Sequence, residues 1–139
     1  MNNMLIDSSA WIEFFKGNND FSFIFDFIEN NNICTNDVIL TELLPSMIHK
    51  KEYKLIELMN SIYHYDIDIN WNDVKEYQIK NLQHGNNNVP ITDVIIAQNC
   101  IENNLTIVTR DKHFGLMAKY LPISVFENAK MFNNTEANK

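Results

Sequence analysis

The sequence predicts an α/β fold in which a parallel central sheet of four to five strands carries helices on both faces. Short apolar segments rich in β-branched residues recur along the chain, and they alternate with longer segments of helical periodicity. The segment 105–109, LTIVT, is typical of a strand buried in a parallel sheet. The whole succession is β-α-α-β-α-α-β-α-α-β-α-β. Because helical crossovers separate the strands, the sheet is expected to be parallel.

The composition is that of one globular domain. The chain has 139 residues, of which 45% are hydrophobic, and its formal net charge is −7. We expect a single domain over residues 1–127 and a polar C-terminal tail over 128–139. The acidity argues against a general basic surface for nucleic acid, although it does not exclude a nuclease. Because there is no basic leader and no run of about 18 apolar residues, we expect a cytoplasmic protein that does not enter a membrane.

The first half of the chain is predicted to contain two strands and three helices. An apolar strand over 3–7 ends in Asp7, and Ser8 and Ser9 can cap the helix that follows. The expected elements are that strand, a helix over 10–16 ended by Gly17, a helix over 20–32 with an aromatic face, a strand over 33–35, and a helix from Asn36 or Asp37 through Leu44. Pro45 is expected to kink or restart the last helix, because proline lacks the backbone N–H.

The second half is predicted to contain four helices and three strands. In order they are an amphipathic helix over 50–59, a half-exposed strand over 62–69, a helix from Asn70 or Asn72 to Gly85, a helix capped by Thr92, the strand 105–109, a helix over 114–120 and an edge strand over 122–126. Cys34 and Cys100 lie in apolar runs and are expected to be core thiols.

Acidic residues mark the ends of two predicted strands. Asp7 and Asp111 lie there, and Asp93 falls in the first turn of the helix that leads into the second of these strands. Glu42 lies in an apolar helix, where its carboxylate must be exposed, paired or ligated. If Glu42 points to the same edge of the sheet, four carboxylates converge. Mg²⁺ or Mn²⁺ would relieve their repulsion and suits phosphodiester hydrolysis.

Two other groups of residues give weaker indications of a functional site. Asp66 and Asp68 share one face of the predicted strand 62–69, and we interpret them as a polar edge rather than a metal motif. No GxSxG motif is present, and Ser8 and Ser9 have no marked partner histidine.

Four segments, LIDSSAWI (5–12), VILTEL (38–43), ITDVIIA (91–97) and VTRDKHF (108–114), together resemble the motifs of PIN-domain nucleases, in particular the small VapC-like toxins. The resemblance extends from about residue 3 to 126 and keeps the four acids in the family's order. It implies a Mg²⁺- or Mn²⁺-dependent endoribonuclease that acts on RNA, forms a homodimer and is silenced by a cognate antitoxin. Ser8 is a mild departure, because the family usually has Thr directly after the first Asp. The Asn-rich loop before Pro90 is also less typical of the family.

The resemblance also implies roles for individual residues. Asp7, Glu42, Asp93 and Asp111 would form the acidic centre, with the metal held mainly by Asp7 and Asp93. Ser9 and Thr109 match hydroxyl positions that support it, whereas we interpret His113 as a packing or capping residue rather than a ligand. Candidates for contact with the RNA backbone are Lys16, Lys50, Lys51, Arg110 and Lys112.

Two alternatives belong to other classes. The same fold could act as a binding module without meaningful catalysis, although the intact set of four acids argues against this. Receiver domains and phosphohydrolases also use acids at strand ends with Mg²⁺. The phosphohydrolases require a DxD motif directly after the first strand, and Ser9 stands where its second Asp would be.

Overall fold

Five short parallel strands form the centre of the molecule. The computed structural model describes residues 2–128. The strands are β1 (Met4–Ile6), β2 (Ile33–Thr35), β3 (Tyr63–His64), β4 (Thr106–Val108) and β5 (Ser124–Val125), in the spatial order β3-β2-β1-β4-β5. The first strand is therefore central: Leu5 pairs with Cys34 on one side and with Ile107 on the other. This confirms the predicted parallel sheet.

Within residues 2–128, seven α-helices connect the strands. They are α1 (Ser8–Phe15), α2 (Ile24–Glu29), α3 (Asp37–His49), α4 (Tyr53–Ser61), α5 (Trp71–Gln83), α6 (Ile91–Asn103) and α7 (Lys112–Met117), and a 3-10 helix spans Asn19–Phe21. From β1 the chain progresses to β2 and β3 in one direction, and it then crosses to β4 and β5 on the other side. Because crossovers between parallel strands are right-handed, this reversal places helices on both faces, as predicted.

Three predicted elements are wrong in detail. The strand expected over 62–69 contains only Tyr63 and His64, because its neighbour β2 ends at Thr35 and offers no further ladder. The helix expected over 20–32 is divided into the 3-10 helix and α2. The helix expected over 50–59 begins only at Tyr53.

The helix starts and interruptions also differ from prediction. Helix α3 runs through Pro45 without restarting, since the carbonyl left without a partner belongs to Thr41, an exposed residue one turn earlier. Thr92 does not cap α6. Pro90 occupies the cap position and Thr92 lies inside the first turn, which still leaves Asp93 there as predicted.

The hydrophobic core spans the sheet and its helices. Leu5 and Ile6 of β1 are fully buried, and α6 is buried continuously from Val94 to Cys100. Both cysteines are buried free thiols, which confirms their expected place in the core, and burial raises their pKa values. Within residues 2–128, no helix has the length and apolar character needed to cross a membrane. Most of the predicted tail, residues 129–139, lies outside the described residues.

Candidate metal centre

Two of the predicted acids lie at the carboxyl edge of the sheet, at the position where the order in which strands are added reverses. Asp7 follows β1 directly and occupies the N-cap position of α1 without a side-chain capping bond, whereas Asp111 follows β4 and caps α7 by accepting from the N–H of His113. The strands β1 and β4 are neighbours, and the backbone N–H of Asp7 donates to the carbonyl of Val108 at 2.9 Å. The chain leaves these two strands toward opposite sides of the sheet. In open α/β sheets, such a switch point opens the crevice in which ligands bind.

Two hydroxyl groups hold the carboxylate of Asp7. Thr109 Oγ1 donates to Asp7 Oδ2 at 2.9 Å, and Ser9 Oγ donates to the same oxygen at 3.1 Å. Each hydroxyl oxygen also accepts a backbone N–H, from Asp111 at 2.9 Å and from Arg110 at 3.0 Å respectively. Because a carboxylate oxygen can only accept, both hydroxyls donate to Asp7, and their own oxygens lie 3.3 Å apart. Burial raises the pKa of Asp7, and the two hydroxyl bonds oppose that rise.

Asp93 and Asp111 form a second pair of acids. Asp93 lies in the first turn of α6, and a carboxylate oxygen of Asp93 lies within 4.8 Å of one of Asp111. Burial raises the pKa of Asp93 to about 7, assisted by the charge of Asp111 and, more weakly, by Asp7 and Glu42.

Glu42 faces the same cluster from α3. Its side chain is exposed at the rim and is hydrogen-bonded by the hydroxyl of Ser8. Partial burial raises the pKa of Glu42, and the charges of Asp7 and Asp111 raise it further. The orientation that helical periodicity could not decide is therefore toward the other acids. All four predicted acids lie within electrostatic reach of one another.

The donor set fits a hard divalent cation. Carboxylate oxygens are the ligands that Mg²⁺ and Mn²⁺ prefer, and an ion among them would offset the repulsion that raises their pKa values. Among the described residues, one group of three offers ligand atoms that all lie within 4.8 Å of one another: Asp93, Asp111 and His113. Asp7, expected from the sequence to be a main ligand, is not a member of that group.

A groove of about 370 Å³ lies beside Glu42, between α1, α3 and α4. Lys16 and Lys50, two of the predicted contacts for an RNA backbone, line it together with Glu42. Lys51 lies in the turn after α3 and Lys112 begins α7, and neither lines this groove. The groove therefore brings two of the five predicted cations next to the acidic centre.

Glu13 is a residue of this region that the sequence analysis did not identify. Its Oε1 accepts from Arg110 Nη1 at 2.5 Å and lies 3.8 Å from Lys16 Nζ. A hydrogen bond from Asn18, together with these two cations, lowers the pKa of Glu13. The available signal was its spacing, because Glu13 is one helical turn after Ser9 and shares its face of α1. Glu13 thus engages Arg110, a predicted RNA contact, beside the centre.

Comparison with known proteins identifies the family. Residues 4–120 match the model of the PIN domain, so the chain belongs to the PIN domain family, a family of nucleases. This confirms the resemblance carried by the four acidic motifs. A search of curated proteins finds no match to this sequence.

Solved structures share the fold at low sequence identity. The chain is similar to a protein in the structure of VapBC2 from Rickettsia felis bound to a promoter DNA fragment, with 16% identity, coverage of 88% of this chain and 96% of that chain, and a TM-score of 0.69. It is similar to one in DNA-bound VapBC from Salmonella typhimurium, with 15% identity, coverage of 91% and 98%, and a TM-score of 0.68. A third lies in a toxin-antitoxin complex from Klebsiella pneumoniae, with 15% identity, coverage of 78% and 87%, and a TM-score of 0.58.

Proposed function

We propose that this protein is a Mg²⁺- or Mn²⁺-dependent endoribonuclease that hydrolyses RNA phosphodiester bonds. The observation that carries the proposal is the convergence of four carboxylates at the switch point of a PIN-domain sheet. Burial and neighbouring acids together raise the pKa values of Asp7, Glu42 and Asp93. A site that concentrates negative charge in this way is suited to a divalent cation and, through it, to a phosphodiester.

Asp7, Asp93 and Asp111 would hold the ion, with Glu42 at the rim. A bound divalent cation supplies an activated water molecule and stabilises charge on the phosphate. Hydrogen bonds within the protein orient one of the proposed ligands for the ion. Ser9 and Thr109 fix Asp7 Oδ2, so this carboxylate needs little reorganisation.

The groove beside Glu42 is the proposed path of the RNA backbone. Lys16 and Lys50 lie along it, and ammonium groups attract phosphates whatever the base sequence of the RNA. Because the formal net charge is −7, this attraction is local rather than a property of the whole surface. The phosphates would therefore be guided to the one edge of the sheet where the acids lie.

We also infer that the protein is the toxin of a toxin–antitoxin pair. The support is the shared fold with proteins from structures described as VapBC and as a toxin-antitoxin complex. On this proposal the protein is a cytoplasmic homodimer and a cognate antitoxin silences it. Growth arrest upon expression, relieved by Asp7→Asn, would favour the enzyme over a binding module that acts only through a partner.

The direct test is RNA cleavage by purified variants. Asp7→Asn and Asp93→Asn are each expected to reduce metal-dependent cleavage by about a hundredfold or more, since each removes a charge proposed to hold the ion. Circular dichroism should show that both variants remain folded. Asp66→Asn is the matched control, because the side chain of Asp66 is 98% exposed and lies outside the centre. Undiminished cleavage by both centre variants would refute the proposal.

A further inference from the structure

The imidazole of His113 lies beside two of the acids. His113 is the second residue of α7 and is half-buried, and one of its ring nitrogens lies within 4.8 Å of carboxylate oxygens of Asp93 and Asp111. The four-acid centre by itself requires no nitrogen at this position. The hydrogen bonds around the ring indicate which of its two nitrogens is engaged elsewhere and which is left to bind an ion.

A directed chain of hydrogen bonds begins at the carbonyl of Val89. A carbonyl can only accept, so Gln78 turns its Nε2 amide toward that oxygen at 2.9 Å. Gln78 Oε1 then accepts from Asn81 Nδ2 at 3.0 Å, which leaves Asn81 Oδ1 as an acceptor for the hydroxyl of Tyr120 at 2.5 Å. Each bond fixes the direction of the next one.

The same chain continues to the histidine ring. Tyr120 has one hydroxyl hydrogen and donates it to Asn81, so its oxygen accepts from Asn86 Nδ2 at 3.0 Å. That amide nitrogen also reaches the carbonyl of His113 at 3.4 Å, a second acceptor that fixes its orientation. Asn86 Oδ1 consequently faces His113 Nδ1 at 3.2 Å. Because an amide oxygen can only accept, Nδ1 carries the hydrogen and Nε2 of the neutral ring keeps its lone pair.

Because the amides of this hydrogen-bond chain are buried, exchanging their donors and acceptors would be costly. Asn81 is fully buried and Asn86 is 5% exposed, so a reversed amide would leave donors facing donors away from water. Histidines that bind metal ions commonly donate their other ring N–H to a carbonyl oxygen, which fixes the tautomer and the ring orientation. The side chains of the Asn-rich loop and of α5 thus prepare His113 as a ligand.

We propose that His113 contributes a nitrogen ligand to the centre and biases it toward Mn²⁺ over Mg²⁺. The inference rests on the metal-dependent function proposed above. Mg²⁺ strongly prefers oxygen ligands, whereas first-row transition ions accept imidazole nitrogen readily. A centre of carboxylates with one imidazole therefore distinguishes the two ions by ligand type, although both have the same charge.

Pulsed electron paramagnetic resonance of Mn²⁺ bound to the full-length protein tests this directly, because it detects coupling to a bonded nitrogen. The native protein is expected to show nitrogen coupling, and His113→Ala is expected to lose it. Calorimetric titration should show roughly a 10- to 100-fold loss of Mn²⁺ affinity in that variant and a much smaller change for Mg²⁺. His49→Ala, which alters the exposed histidine at the end of α3, should change neither affinity.

Asn86→Ala tests the positioning role of Asn86. This variant lacks the acceptor for Nδ1 and is expected to weaken Mn²⁺ binding without abolishing nitrogen coupling. Native Mn²⁺ affinity in Asn86→Ala would show that the proposed orientation through Nδ1 is wrong.

The outcomes separate this inference from the function on which it rests. If the native protein binds neither ion, both proposals fail. If it binds both ions but shows no nitrogen coupling, or if His113→Ala keeps the native ratio of Mn²⁺ to Mg²⁺ affinity, only the role of His113 is refuted. Loss of both ions in Asp93→Asn, with nitrogen coupling in the native protein, would support both.

Discussion

Thr109 links the strand β4 to the carboxylate at the end of β1. Its hydroxyl donates to Asp7 and accepts from the backbone N–H of Asp111, so it orients one acid and the chain segment that carries another. Asp7 is buried and Asp111 is half-buried, and a buried acceptor that loses a donor is costly. This hydroxyl therefore serves stability and site geometry together.

Thr109→Val is expected to destabilise the protein by about 1–3 kcal/mol, because the change removes one of the two hydroxyl bonds to the buried Asp7 carboxylate and leaves the backbone N–H of Asp111 without its acceptor. Urea unfolding followed by circular dichroism measures this effect. Thr106→Val is the matched control, since its hydroxyl lies on the same strand and meets Ser124 at an exposed position. The expected change in the free energy of unfolding of Thr106→Val is within about 0.5 kcal/mol. Equal effects in both variants would contradict the role of Thr109.

At the scale of residues, chain position predicted some members of the site and not others. Asp7 and Asp111 were predictable because each lies within three residues after the end of an apolar strand. Glu42 was not, since helical periodicity left its direction open and only packing decides it. The contact of Asn86 with His113 joins a loop to a helix 27 residues further along the chain, and no local pattern encodes such a meeting.

At the scale of elements, a pair of buried amides ties α3 to α6. Asn36 caps α3, with its Oδ1 accepting from the N–H of Ile39, and its Nδ2 donates to Asn99 Oδ1 at 3.0 Å. Asn99 in turn donates to the carbonyl of Asp66. Helix α3 carries Glu42 and α6 carries Asp93, so this tie fixes the relative position of two of the acids.

Asn36→Ala is expected to cost more stability than the loss of a helix cap alone. A cap is worth about 1 kcal/mol, and the change also leaves the buried Asn99 Oδ1 without its donor, which adds about 1–3 kcal/mol. Asn70→Ala is the matched control, because Asn70 caps α5 in the same way at an exposed position. Thermal unfolding of the two variants measures the difference. Similar losses would show that the tie between the helices contributes nothing.

The order and type of elements were predictable, whereas some of their limits were not. Apolar periodicity indicated every strand and helix in the correct succession, and the parallel sheet followed from the crossovers. The strand at 62–69 was overestimated because its alternation extends beyond the partner strand that could pair with it. Similarly, the passage of α3 through Pro45 depends on the exposure of Thr41, which is a tertiary property.

For the whole molecule, the convergence of acids has a consequence for stability. Burial and then the other acids hold the pKa of Asp93 at about 7 in the native state, far above its ordinary value near 3.8. Between these two values the unfolded chain binds fewer protons at this position than the native protein does. The free energy of unfolding of the metal-free protein should therefore fall as the pH rises through this interval.

Thermal unfolding in the presence of a chelator is expected to give a lower midpoint at pH 8 than at pH 5. Asp93→Asn should flatten this dependence, because the variant cannot ionise at that position. Asp68→Asn, which changes an exposed acid, should keep the native slope. The prediction fails if the native protein is equally stable at both pH values, or if Asp93→Asn changes nothing.

The central position of β1 also governs when the centre can exist during synthesis. The ribosome makes β1 early, yet Asp7 receives its hydroxyl bond from Thr109, which is 102 residues further along the chain. The strand β4 must leave the exit tunnel and pair with β1 before the acids meet. A nascent chain therefore lacks a complete centre until both Thr109 and β4 have been made. If the protein cleaves RNA, a nascent chain that has not yet reached β4 would be unable to do so.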